Sequence, residues 1–163
     1  MSRTKLIVLG AFFTSLAVVF QLIPVLFSEV FVLTTMLSAL PIYMIAKMNP
    51  QIGIAGYIAA AILISLFSVH EGLFFLCTNG VVGLALGGTH YYTNKKTIIF
   101  SVSSLCLTLA LSIMTFIIGI PVFGFVIETG VLMQIFILLV FSLVYSIFYF
   151  YLANAVSKII NRQ

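Results

Sequence analysis

The chain has 163 residues, of which 63% are hydrophobic and only 6% are charged, and its formal net charge is +4. The mean hydropathy is +1.33. Soluble globular domains carry about 25% charged residues, so this composition excludes a water-soluble globule. Apolar stretches of about twenty residues cross a hydrocarbon layer as helices, and the alternating polarity of membrane β-strands is absent. We therefore predict an all-α integral membrane protein.

Hydropathy divides the chain into six predicted spans in a single domain: about 6–27, 30–46, 52–68, 72–92, 98–120 and 131–156. The first apolar run is longer than a signal-peptide core and lacks a small-x-small cleavage site, so we expect it to be a span. The second span is the weakest, because Pro41 lies inside it and predicts a kink. The short connections leave no room for a soluble catalytic or nucleotide-binding module.

The charged residues sort to opposite sides of this alternation. One side takes every basic residue: Arg3, Lys5, Lys47, Lys95, Lys96, Lys158 and Arg162. The other side takes every carboxylate: Glu29, Glu71 and Glu128. The positive-inside rule then predicts that both termini are cytoplasmic and that the carboxylates face outward, as in a multi-pass protein of a bacterial plasma membrane. We interpret the basic residues as a topology signal rather than as a nucleic-acid site.

Span one carries small residues one helical turn apart on two faces. Gly10 pairs with Thr14 and Ala11 pairs with Ser15, and such small-xxx-small faces mark helix contacts in lipid. The sequence leaves open whether the contact is internal or is offered to another membrane protein. Near the outer end of the same span, Gln21 either lines a pocket or reaches interfacial water, and we expect the second.

Span four carries the strongest pattern in the chain. His70 and Glu71 stand at its outer end, and Asn79 follows about two turns deeper, where an amide needs a hydrogen-bond partner. That partner is a helix backbone, a water-filled cavity or a ligand. Residues 83–87 form a GxxxG pattern that lets another backbone approach, and residues 90–92 are typical of an aromatic interfacial belt.

Polar residues predicted at the outer face form a candidate substrate-binding site. They are Glu29, His70, Glu71 and Glu128, with Asn79 and Gln134 beneath. Carboxylates beside an imidazole attract a polar or cationic small molecule, or ligate a divalent metal. The alternative is that they are exposed loop residues that only complement the topology.

The sequence lacks the residues that several kinds of chemistry require. No nucleophile or acid–base triad can be assembled and no Walker sequence is present, so we expect neither an enzyme nor a cofactor. Ion-coupled carriers usually place an ionisable group near the bilayer midplane, and none is predicted there. Active transport would therefore need energy from another polypeptide.

Four features of the chain are the six spans, a cytoplasmic N-terminus, the small face within residues 11–15 and the glycine-rich spans three and four. In these features the chain resembles the substrate-binding S components of energy-coupling factor (ECF) transporters. The segment from Leu40 and Pro41 through Gly53, Gly56 and residues 80–87 is also similar to uncharacterised bacterial membrane proteins of that fold. The resemblance covers nearly the whole chain.

This resemblance implies a substrate-capture subunit for a vitamin-like small molecule. Ala11 and Ser15 would dock a transmembrane coupling subunit driven by two cytoplasmic ATPases, and the loop around Glu29 would cap the ligand. Where the family usually has a pair of alanines, this chain has Ala11 and Ser15. No sequence signature for binding riboflavin, biotin or thiamine is present. The alternatives are a non-transport scaffold similar to the cell-shape protein MreD and a small oligomeric channel or facilitator.

Overall fold

The computed structural model describes residues 3–120, 122 and 130–160, except for the side chains of residue 29 and residues 157–160. This part of the chain is helical and contains no strand. Six segments of it are long and apolar enough to cross a membrane: Arg3–Leu26, Val30–Met48, Pro50–Phe67, Val69–Tyr92, Lys96–Ile118 and Val131–Val156. The prediction of an all-α membrane protein with six spans is confirmed.

The α-helices are α1 Arg3–Leu26, α2 Ala39–Met48, α3 Pro50–Phe67, α4 Val69–Cys77, α5 Asn79–Tyr92, α6 Lys96–Ile113 and α7 Val131–Ile160. Three of the spans are not regular α-helices throughout. A 3-10 helix, Glu29–Ser38, precedes α2, the fourth span is divided between α4 and α5, and a π-helix, Met114–Ile118, follows α6. Irregular helical turns of this kind often accompany functional sites in membrane proteins.

The second span does not contain the kink that we predicted from Pro41. The 3-10 helix ends at Ser38 and α2 begins at Ala39, so Pro41 lies in the first turn of α2. Backbone N–H groups of a first turn have no acceptor within their own helix, so a residue without an N–H is tolerated there. The prediction of a proline kink within one continuous helix is wrong, because the change of helix type precedes the proline.

The fourth span is interrupted at Thr78. Its backbone, with φ −125° and ψ −92°, lies outside the helical region. The N–H of Thr78 still donates to the carbonyl of Phe74 at 2.9 Å, and the N–H of Val82 donates to the carbonyl of Thr78 at 3.0 Å. Helices α4 and α5 therefore follow each other in series, with an irregular joint that lies beside Asn79.

Glycines of α5 let its backbone touch that of α2. A Cβ atom added at Gly83 would lie 2.5 Å from the carbonyl oxygen of Ala39, and one added at Gly87 would collide with the carbonyl oxygen of Tyr43. No side chain fits at either contact, so glycine is required by the approach of the two backbones. The close packing predicted from the GxxxG pattern is confirmed.

Span one uses its two small-residue faces differently. A Cβ added at Gly56 of α3 would lie 2.6 Å from the Oγ1 atom of Thr14, and Gly10 is buried against the same helix. The face of Gly10 and Thr14 is thus an internal contact between α1 and α3. Ala11 and Ser15 are exposed, so their face is free to meet another molecule.

Helix α2 is the centre of the bundle. Seven of its ten residues are buried: Ala39, Leu40, Pro41, Ile42, Tyr43, Ile45 and Ala46. It contributes to two apolar clusters, one shared with α5, α6 and α7 and the other shared with α1, α3 and α4. The two halves of the protein are therefore joined through α2.

The described charged side chains lie at two ends of the bundle. Arg3 lines a groove together with Asn49, which follows α2 and its terminal Lys47. Glu71 instead accepts a hydrogen bond from Gln21, near the other end of α1. We call these the basic end and the Glu71 end. The positive-inside rule predicts that the basic end faces the cytoplasm.

Two glycines of α5, Gly83 and Gly88, give a matched test of this packing. Gly83→Ala forces a methyl group against the α2 backbone, and we expect it to destabilise the protein by about 1–3 kcal/mol. Gly88 has no atom within 4 Å of an added Cβ, so Gly88→Ala should be neutral or stabilising, by up to about 1 kcal/mol. Thermal unfolding in detergent, followed by size exclusion, measures both changes. Shifts of the same sign and size in the two variants would contradict the assigned contact.

Candidate functional site

A cavity of about 460 Å³ lies at the Glu71 end. Its volume is in the range of about 300–1,000 Å³ that is typical of small-molecule sites. Its walls come from the end of α1, the 3-10 helix, α4, the joint at Thr78, α6 and α7. The interrupted fourth span and the 3-10 helix thus meet at the same cavity.

The cavity runs from an exposed rim to a buried floor. At the rim, Leu33 of the 3-10 helix is 72% exposed. At the floor, Gln21 is 1% exposed, Asn79 is 5% exposed and Leu111 is fully buried. This arrangement is a pocket that opens at the Glu71 end.

Gln21 is the centre of a hydrogen-bond network at the floor. Its Nε2 atom donates to Oε2 of Glu71 at 2.8 Å, and its Oε1 atom accepts from the Ser38 hydroxyl at 2.9 Å and from Nδ2 of Asn79 at 3.3 Å. The prediction that Gln21 reaches interfacial water is wrong. Helix α1 continues beyond it to Leu26, and the 3-10 helix packs over it, so its amide is enclosed.

Asn79 finds its partners inside the protein. Nδ2 also donates to the carbonyl of Thr35 at 2.9 Å, and Oδ1 accepts from the hydroxyl of Tyr145 at 2.8 Å. The hydroxyl of Tyr149 donates to the neighbouring carbonyl, that of Met36. Side chains of α5 and α7 therefore hold two consecutive carbonyls of the 3-10 helix, which fixes this helix as one wall of the cavity.

Glu71 and His70 lie in the first turn of α4, where Ser68 caps the helix by accepting from the N–H of Glu71. Glu71 is partly buried and lines the cavity, and His70 is exposed at its edge with its ring centroid 4.7 Å from that of Phe74. Neither residue forms an ion pair with any residue that the structure describes. An acidic group therefore faces the cavity without a charged partner there.

Of the six predicted site residues, the cavity brings together His70, Glu71 and Asn79. Gln134 is partly buried near the start of α7 and is not among the described residues that line the cavity. Glu128 and the side chain of Glu29 lie outside the described residues. Within residues 3–120, 122 and 130–160, no three His, Cys, Asp or Glu side chains are grouped so that they could hold a metal ion.

Aromatic walls were not part of the predicted site. Phe74, Phe141 and Tyr145 line the cavity, and the rings of Phe141 and Tyr145 stack with a centroid distance of 5.5 Å and an angle of 22°. One sequence signal points to this wall. Residues 141, 145 and 149 are aromatic and lie one turn apart on α7, so they share one face of the helix.

Ala11 and Ser15 line a separate groove between α1 and α3, with a volume of about 920 Å³. Half of the residues that line it are small: Gly10, Ala11, Thr14, Ser15, Ala55, Gly56 and Ala59. Such a surface lets another helix come close to the backbones of α1 and α3. The groove starts at the basic end, where Arg3 lines it.

No protein-family model, curated protein or solved structure matches the chain. The resemblance to ECF S components therefore stays a prediction from the sequence.

The two glutamines of spans one and six allow a direct test of the network. Gln21→Leu removes the hydrogen bonds to Ser38, Glu71 and Asn79, although Ser38 and Asn79 keep the carbonyl of Thr35 as a partner, and each lost bond costs about 0.5–1.5 kcal/mol. We expect a clear drop in the unfolding temperature of the purified protein. Gln134→Leu is the control, because its side chain makes no hydrogen bond to a described residue. Equal stability of the two variants would contradict the network.

Proposed function

We propose that the chain is the substrate-capture subunit of an ATP-driven uptake transporter for a vitamin-like small molecule. The cavity at the Glu71 end is the observation that supports this proposal most directly. A bundle that only had to fold would fill this space with side chains, because membrane-protein interiors also pack closely. Here, an apolar and aromatic cavity keeps a few oriented polar groups at its floor, as small-molecule sites do.

The distribution of charge favours an external source of energy. The charged residues stand near span ends, and the described spans carry no charged side chain in their central turns. Carriers that use an ion gradient usually need such a group near the midplane. The sequence also has no nucleotide-binding motif, so ATP hydrolysis has to occur on partner subunits.

The groove between α1 and α3 is the proposed docking surface for a transmembrane coupling subunit that carries two ATPases. Ala11 and Ser15 are exposed there on the same helix that places Gln21 in the cavity floor. Helix α1 is continuous between these positions. A movement of α1 caused by the partner would therefore reach Gln21 and its hydrogen bonds to Glu71, Ser38 and Asn79.

The 3-10 helix is the part of the cavity wall suited to admit and retain the substrate. It lies at the exposed rim, and it is held to the rest of the bundle by side chains that bond to its carbonyl groups. Hydrogen bonds at exposed irregular segments open at low cost compared with those of a packed helix. The substrate would enter between this helix and α4 and reach Asn79 at the floor.

A non-transport scaffold of MreD type is the second candidate, because the exposed groove would also serve a structural partner. The two candidates differ in their use of the cavity. A scaffold needs the groove alone, whereas a capture subunit needs both features. An oligomeric channel is favoured by neither feature, since the cavity ends in a buried floor.

Bulky residues in the groove test the docking role. We expect Ala11→Trp and Ser15→Trp to reduce the recovery of ATPase subunits with the affinity-tagged protein by about tenfold, which corresponds to about 1.4 kcal/mol. Ser101→Trp is the control, because Ser101 is an exposed small residue of α6 that does not line the groove. Quantitative mass spectrometry of the purified complexes gives the readout. Unchanged recovery of the ATPases in all three variants would contradict the docking role.

A further inference from the structure

We propose that the cavity selects a small organic cation, in which an amine or quaternary ammonium group pairs with Glu71 and an apolar or aromatic body fills the space beneath. This inference rests on the proposed capture function and adds the chemical class of the substrate. Three properties of the cavity support it: its net charge, its hydrogen-bonding groups and its aromatic walls.

The charge of the cavity comes from Glu71. One of its oxygens, Oε2, accepts from Gln21, and the carboxylate forms no ion pair with any described residue. Its neighbour His70 packs edge-on against Phe74 instead. A carboxylate beside apolar walls is costly when it is unpaired, and a bound cation would offset that cost.

No lysine or arginine side chain that the structure describes lies at this end, where the imidazole of His70 is the described group that can carry a positive charge. The described basic side chains lie towards the basic end, and Lys158 follows Phe150, whose ring lies 5.6 Å from that of His90 there. The stretch 121–129 contains one ionisable residue, Glu128, according to the sequence. The ring of His70 packs against Phe74 and forms no ion pair with Glu71, so an exogenous cation would be the partner of this carboxylate.

The hydrogen-bonding groups of the cavity favour a ligand that donates. Each of the amide and hydroxyl groups that line the cavity donates at least one hydrogen bond to a protein acceptor: those of Gln21, Thr35, Thr78, Asn79 and Tyr145. Oε1 of Glu71, by contrast, has no partner among the described residues. An ammonium group would add a hydrogen bond to this free acceptor, whereas an anionic ligand would be repelled by the carboxylate of Glu71.

The aromatic walls fit the same class of ligand. Phe74, Phe141 and Tyr145 line the cavity that Glu71 faces. The faces of aromatic rings attract cations, and the attraction reaches about 2 kcal/mol when the cation is removed from water. Rings and carboxylate together would hold an organic cation more tightly than they would hold a metal ion, which needs several oxygen ligands.

Three probes that share a phenyl ring and differ in charge test this inference: 2-phenylethylammonium, 2-phenylethanol and 3-phenylpropanoate. Isothermal titration of the purified full-length protein should give the cation at least about tenfold tighter binding than the alcohol and no measurable binding of the carboxylate. Glu71→Gln keeps an oxygen that can accept from Gln21. This variant should bind the cation only as tightly as it binds the alcohol. Glu71→Asp should keep the preference for the cation.

Equal affinities of the cation and the alcohol, tighter binding of the carboxylate, or failure of the cation to bind would overturn the inference. A preference that survives in a folded Glu71→Gln protein would also overturn it, and thermal unfolding verifies the fold. These outcomes are distinct from failure of the capture function. If the protein carries a neutral or anionic compound from its membrane, the preference for cations is refuted and the capture function is not. If Ala11→Trp and Ser15→Trp still recover the ATPases, the role in an ATP-driven transporter is refuted and binding of a cation is not.

Discussion

The structure depends on the burial of one amide, that of Gln21, which is 1% exposed at the floor of the cavity. In a membrane every buried polar group needs a partner within the protein, and Gln21 joins α1 to α4 through Glu71, to the 3-10 helix through Ser38 and to α5 through Asn79. These bonds require the four elements to meet at one point. The cavity is the space that their irregular geometry leaves above that point.

The two ends of the bundle are built by different means. Towards the basic end, glycines bring the backbones of α2, α3 and α5 into contact and leave little room between them. Towards the Glu71 end, Gly72 and Gly80 also pack closely, but the 3-10 helix and the joint at Thr78 are held by hydrogen bonds from side chains to carbonyl groups. The first part supplies a rigid frame. The second supplies a cavity whose wall is held by hydrogen bonds to the 3-10 helix.

Hydropathy predicted the six spans because the membrane imposes length and polarity on every spanning helix. Glycine spacing predicted the contact of α5, since only glycine permits such an approach. His70, Glu71 and Asn79 were predictable together because His70 and Glu71 directly precede the predicted fourth span, Asn79 lies within it, and all three stand out from an apolar background. Gln21 was not, because a single glutamine near a helix end has the same local sequence signal whether it meets water or the interior. Its burial is decided by the 3-10 helix, which folds over it only in the tertiary structure.

Native mass spectrometry of the gently solubilised protein tests the central claim, that this cavity holds a small molecule. Leu111 is fully buried at the floor of the cavity, so Leu111→Trp would fill this space. Leu109→Trp is the control, because Leu109 is 66% exposed on the same helix. We expect the wild-type and Leu109→Trp proteins to retain a small-molecule adduct and the Leu111→Trp protein to lose it. A bare mass for the wild-type protein, or an adduct retained equally by Leu111→Trp, would contradict the claim.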